Sequence, residues 1–276
     1  MKMRHKNLLL NAVAVLICMI FLFPVYWILV NSLKTDAEIF RTPPTFFPLE
    51  LTLSSYVDQI VGDYSIFRGL RNSLIISVSG CLISMGLAVP AAYGLARYEI
   101  KGKRFFILSF LVTQMLPVTL LLTPMFLTFQ KLSLLNTYWS PVLANTTTAV
   151  PFVVIILRTY FLGLPRELED AALIDGCGSF RTFVQIMLPI ARTGLVTAGT
   201  FSFLFCWNDL MYSLTFLSSQ KARPLTAGIY NFISKYGIQW NYIMAFSTLI
   251  VIPVILIFVF LQKYIVSGLT AGAVKE

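Results

Sequence analysis

Acidic side chains are scarce in this chain and gather in one place: Glu167, Glu169, Asp170 and Asp175 fall within a single short stretch. Pro165 suits the first turn of a helix. The acids that follow then sit at the positive end of its dipole. Gly176 suits the positive-φ residue that ends it. Leu168, Ala171 and Ala172 share one face by i, i+3, i+4 spacing. The pattern predicts a helix of about three turns with a stripe of small residues and an acidic rim. So short a helix does not hold together alone in water, so it needs a groove to sit in. Lying on lipid headgroups is the alternative, but surface helices of that kind are basic with bulky apolar anchors, and anionic lipid would repel this one.

Other chemistries find little support. The one histidine, His5, lies near the N-terminus, which leaves no metal cluster and no His-based dyad. There is no G-x-x-x-x-G-K-[ST] phosphate cradle, so the chain is expected to be non-catalytic and to hold no cofactor of its own. Cys18, Cys81, Cys177 and Cys206 show no C-x-x-C spacing and read as small apolar fillers. Asn208 and Asp209, beside Trp207, form the remaining polar pair of interest. They would either bond to a helix end or line a pathway.

The elements that must position these residues are membrane spans. Only 12% of the residues are charged and the mean hydropathy is +0.79, where a soluble domain carries about 25% charged residues. Runs 8–30, 72–96, 105–130, 132–157 and 236–262 hold no Asp, Glu, Lys or Arg, and roughly 20 apolar residues suffice to span. A further run, 186–208, carries only Arg192 near one end, where it can snorkel. The expectation is an all-α polytopic membrane protein, a single transmembrane domain over 1–276 with six transmembrane helices at 8–30, 72–96, 105–130, 134–158, 186–208 and 241–263. The first ends in Phe23-Pro24-Val25-Tyr26-Trp27, an interfacial belt rather than a cleavage site.

Lys and Arg bias places both termini on the cytoplasmic side. Lys2, Arg4 and Lys6, then Arg97, Lys101, Lys103 and Arg104, then the loop 158–192 with Arg158, Arg166, Arg181 and Arg192 all fall inside. The same bias beside anionic lipid accounts for the net charge of +9 without any nucleic acid. The outer loop 31–71 is rich in turn signals, and the segment 211–240 is too polar and broken to span. Pro90, Pro117, Pro124, Pro141, Pro151, Pro189 and Pro253 are expected as kinks within spans. Gly80, Ser84, Gly86, Ala88, Ala91, Ala92 and Gly94 are expected to give close helix packing.

Asp170-Ala171-Ala172-x-x-Asp175-Gly176, followed by Phe183-x-x-Ile186-x-Leu188-Pro189, resembles the EAA loop of permease subunits in bacterial binding-protein-dependent ABC importers. The tail 262–275 is similar to that of the carbohydrate-uptake branch, in particular its G-type permeases. Two departures stand out: Asp170 where the family usually has Glu, which shortens the acidic arm by one methylene and keeps its charge, and Thr193 where many members have a second proline.

The resemblance implies a multi-pass protein of the bacterial inner membrane that carries an oligosaccharide or sugar derivative. It implies a second, F-type-like permease and a separate ATPase pair that holds the ATP and Mg. Glu167, Asp170, Ala171, Ala172, Asp175 and Gly176 would dock on that ATPase, and Ser267, Gly268, Leu269, Thr270 and Gly272 of the tail would touch it, more as an extended strand than a helix. An extracytoplasmic sugar-binding protein would meet Asn231, Lys235, Tyr236, Gln239 and Trp240. An ion-coupled secondary transporter and an importer of a sugar phosphate such as glycerol phosphate are the alternatives. The first would place ionisable groups near the membrane midplane, where these runs have none.

Overall fold

The computed structural model describes residues 2–61, 65–234 and 237–270. In chain order its helices are α1 (Lys2–Ser32), α2 (Asp36–Ile39), α3 (Ser54–Val61), α4 (Ile66–Arg97), α5 (Lys103–Met115), α6 (Val118–Lys131) and α7 (Trp139–Leu162). There follow α8 (Glu167–Ile174), α9 (Ser179–Thr182), a π turn (Phe183–Met187), α10 (Leu188–Ile190), α11 (Arg192–Trp207), α12 (Met211–Phe216), α13 (Leu225–Gly228) and α14 (Trp240–Thr270). Ile233–Ser234 and Gly237–Ile238 pair as an antiparallel two-residue ribbon. Among the described residues all other regular structure is helical.

Within α1, α4, α7 and α14, the segments Leu10–Ser32, Ile66–Arg97, Trp139–Leu162 and Trp240–Lys263 are each long and apolar enough to cross a membrane. Two bent pairs bring the number to six if each counts as one span. Both fall in spans expected to be kinked by proline, at 105–130 and 186–208, and the bends are sharp enough to break each into two helices. Helices α5 and α6 meet at 99°. The break falls where Leu116 is extended, with ψ 125°, ahead of Pro117. Proline disfavours helical geometry in the residue before it and has no N–H to bond the preceding turn. Ser179–Ile190 and α11 meet at 79°. There Pro189 follows the π turn and Ala191, with ψ 5°, leaves helical geometry. Pro90, Pro124, Pro141, Pro151 and Pro253 sit inside continuous helices. The segment after α11 is broken into short turns, as its composition requires.

The chain divides into two compact units, Met1–Phe67 with Gly228–Pro253 and Arg68–Ala227 with Val254–Glu276. In the first, the loop after α1 is organised by two buried charges. Lys34 donates to Asn31 Oδ1 at 3.1 Å and to the Thr45 carbonyl at 2.6 Å, with its ammonium over the Trp27 ring. Glu38 accepts from Thr45 Oγ1 at 2.7 Å and from the Leu49 N–H at 2.9 Å. The start of α14 is tied to this loop: the Asn241 N–H donates to Asp36 at 3.0 Å, Gln59 donates to the Tyr242 carbonyl at 2.9 Å, and the Tyr242 hydroxyl bonds Asp58.

The second unit packs α4, α7 and α11 around Ala88, Ala92, Leu95, Val153, Leu157, Phe161 and Ala198, all buried. A helix gains nothing in lipid by exchanging one apolar neighbour for another, so close approach depends on small side chains. Gly80, Ser84, Ala88, Ala92 and Ala96 are buried at a constant spacing of four on α4. A Cβ on Gly80 would lie 2.8 Å from Cys206 Sγ of α11. Gly86 and Gly94 are off this stripe, and a Cβ on either would meet nothing within 4 Å. The small residues of this span are therefore not equivalent in packing.

The contrast is measurable by thermal unfolding in detergent. Gly80→Val should cost about 1–3 kcal/mol through overpacking, and Cys206→Ala in the same chain should return part of the loss. Gly86→Val should leave the midpoint near that of the native chain.

Candidate functional site

Helix α8 begins just after Pro165, with Arg166 rather than the proline at its N-cap. Its end is a Schellman motif. The Cys177 N–H reaches the Ala172 carbonyl at 2.9 Å and the Gly176 N–H reaches Leu173 at 3.1 Å, with Gly176 at φ 79°. The predicted stripe is split by the structure. Ala172 is 3% exposed and packs inward with Leu168 half-buried, whereas Ala171 faces out. The outward face is Glu167, Asp170, Ala171 and Ile174, at i, i+3, i+4, i+7, flanked by exposed Leu173 and Phe180. Asp175 and Gly176 are exposed at its end.

What fastens α8 to the bundle was not visible in the sequence. Glu169 Oε1 lies 3.3 Å from Arg97 Nε and accepts from the Tyr93 hydroxyl at 2.7 Å. Arg97 Nη2 donates to the Leu164 carbonyl at 2.9 Å. The side chains of the pair are 5% and 16% exposed. Tyr93 is held in turn by the rings of Phe161 and Phe183, at 5.4 and 4.7 Å between centroids. A cleft of about 220 Å³ opens beside this cluster, with Arg166, Asp170 and Thr182 on its walls. Arg97 looked like one more topological charge, and Glu169 like one more partner for the helix dipole; only their proximity gives them a further role.

A second cavity, of about 430 Å³, is lined by Asn145, Phe152, Phe201, Asn208, Asp209 and Tyr212 among others. Here Asn208 and Asp209 separate. Asp209 caps α12: its carboxylate accepts from the Tyr212 N–H at 3.1 Å, the Ser213 N–H at 3.0 Å and Ser213 Oγ at 2.7 Å. Asn208 is exposed on the cavity wall. Phe152 and Phe201 meet edge to face at 6.1 Å. Asn145, an amide in the middle of a charge-free run, joins the lining without having been singled out in the sequence, where its position among apolar residues was the available signal.

Of the remaining expected contacts, Asn231 is half-buried in a 3-10 turn, Gln239 is exposed, and Trp240 opens α14 with its ring edge to Phe40 at 6.5 Å. Lys235, Tyr236 and Gly272 lie outside the described residues. Ser267, Gly268, Leu269 and Thr270 continue α14 as helix. This corrects the extended reading of the tail: one glycine costs a helix about 1 kcal/mol, too little to stop one that the long apolar run before it has already nucleated.

Residues 84–271 match the family described as binding-protein-dependent transport system inner membrane component. The diacetylchitobiose uptake system permease protein of Streptomyces coelicolor is 32% identical over 96% of this chain and 96% of its own. The trehalose/maltose transport system permease protein of Thermococcus litoralis is 33% identical over 98% and 97%. An arabinooligosaccharides transport system permease of Halalkalibacterium halodurans is 34% identical over 94% and 93%. Among solved structures, a chain of a bacterial ABC transporter that imports alginate shares the fold, with a TM-score of 0.77 at 21% identity over 95% of this chain and 96% of that one. A chain of an inward-facing methionine ABC transporter gives 0.60 at 19% over 74% and 95%. The chain thus belongs to the inner membrane components of binding-protein-dependent transport systems, as a multi-pass permease subunit of an ABC importer.

Proposed function

We propose that this permease imports an oligosaccharide or sugar derivative, driven by a separate ATPase pair that seats α8. The observation that carries the docking reading is the outward face of α8, where Ala171 and Ile174 stand beside Glu167 and Asp170 on a helix too short to present them without support. Such a face suits a protein groove: the small side chain permits close approach, Ile174 gives an anchor, and the acids can meet cationic walls. Ala172 serves the same helix from the other side, by letting it pack down on its own chain. ATP and Mg belong to the partner.

The sugar reading rests on the names of relatives that match nearly end to end and on the chemistry of the larger cavity. Aromatic faces and amides suit a sugar ring and its hydroxyls, and Asn208 is placed to offer both a donor and an acceptor there. A second permease completes the pathway. An extracytoplasmic sugar-binding protein meets the exposed Gln239 and its neighbours. The end of α14, with Ser267, Gly268, Leu269 and Thr270, contacts the ATPase.

Gentle purification from native membranes tests the assembly. A second permease, an ATPase pair and a binding protein should co-elute, and the binding protein loaded with diacetylchitobiose, trehalose, maltose or an arabinooligosaccharide should stimulate hydrolysis. A chain that elutes alone, with uptake abolished by an ionophore while ATP lasts, would instead mark a secondary transporter.

Gly176→Val tests the docking helix. A Cβ there meets nothing within 4 Å, so the cost is conformational: left-handed geometry disfavours a residue with a Cβ by about 1–2 kcal/mol. The helix should end differently, and ATP-driven uptake in membrane vesicles should fall. Gly178→Ala, at φ −72°, should transport normally. Normal uptake by the valine variant would count against the docking role.

A further inference from the structure

We infer that Tyr93, Arg97 and Glu169 form the joint through which α8 moves the cytoplasmic end of α4, an inference that rests on the ATP-driven reading above. Glu169 points away from the outward face of α8 and into the bundle, so it is not available to an ATPase groove in the way Glu167 and Asp170 are. It is the acidic residue of α8 whose carboxylate is held by its own chain: by the Arg97 guanidinium at 3.3 Å and by the Tyr93 hydroxyl at 2.7 Å. Both partners lie on the last turn and a half of α4, and Arg97 also grips the Leu164 carbonyl just ahead of α8.

The grip is directional. Arg97 holds the carbonyl before the helix and the carboxylate in its first turn, while Tyr93 holds the same carboxylate from one turn back along α4. Two points on one segment are thus fixed to two points on the other. Sliding and rotation of α8 against α4 each break at least one bond. The pair is mostly removed from water, so loss of one member leaves the other as an uncompensated charge. Rings of Phe161 and Phe183 keep Tyr93 in place. A joint of this kind passes a push on α8 to α4 without first deforming. The three side chains are positioning residues: none of them need touch ATP or cargo.

The test reads the far end of the same unit. In a chain with Cys18, Cys81, Cys177 and Cys206 replaced by alanine, Asn208→Cys places a thiol in the larger cavity. Its reaction rate with a membrane-impermeant maleimide is measured in the assembled importer, nucleotide-free and trapped with ATP and vanadate. In the otherwise native chain, trapping should change the rate by about fivefold or more. With Glu169→Gln or Arg97→Gln, hydrolysis should continue and the rate should no longer respond to trapping. Arg97→Lys, which keeps the charge opposite Glu169, should restore most of the response.

Should a charge variant fail to assemble, Tyr93→Phe carries the test, since it loses one hydroxyl and keeps its ring contacts; it should respond less than the native chain. A full response in every variant that hydrolyses ATP overturns the joint. No response even in the native background, with hydrolysis intact, overturns the ATP-driven reading itself.

Discussion

Close approach of helices in hydrocarbon is the constraint on which the second unit depends. Leucine against leucine is no better there than leucine against lipid, so α4 can stand tight against its neighbours only where its side chains nearly vanish. The stripe Gly80, Ser84, Ala88, Ala92 and Ala96 meets that demand over most of the helix. At one end it brings α4 to Cys206, two residues from the asparagine on the cavity wall. At the other it stops one residue short of Arg97. The cavity and α8 are therefore served by one stiff, closely packed element.

That placement also explains why a costly ion pair is used where it is. Taking Arg97 and Glu169 out of water carries a penalty that their attraction only roughly offsets, and an apolar pair of similar size would hold the segments as firmly. An apolar contact would not fix orientation. The Tyr93 hydroxyl and the Leu164 carbonyl fill further positions around the two charges, so the cluster specifies a single arrangement of α8 on α4. Specificity of geometry, rather than stability, is what a mechanical connection requires.

Much of this was legible in residue order. Charge-free runs marked the spans because hydrocarbon tolerates so few charges, and Gly176 marked the end of α8 because its φ of 79° is open to glycine at little cost. The stripe on α4 was legible too, given attention to spacing as well as size, since Gly86 and Gly94 drop out by angle alone. Ala171 and Ala172 could not be told apart: adjacent residues on a helix differ by about 100°, and which one faces inward depends on where Glu169 is held. Its partner lies far back in the chain, at Arg97. The break at Leu116 was hidden among look-alike prolines. Pro141 costs nothing in the first turn of α7, and Pro90 and Pro151 sit in continuous helices, while at Pro117 the preceding residue has moved to extended geometry.

The polar pair after α11 shows how neighbours in sequence diverge in role. Asp209 spends its carboxylate on two N–H groups and a hydroxyl at the start of α12, and Thr226 Oγ1 donates to its carbonyl. A group so occupied is a structural cap, fixed to the start of α12. Asn208 has no such duty and faces the cavity between Phe152, Phe201 and Tyr212. An amide among aromatic faces discriminates by hydrogen-bond geometry and shape without adding charge, which fits neutral cargo better than phosphorylated cargo. Under the proposed ATP-driven reading, the energy for moving that cargo enters outside the cavity, at the outward face of α8.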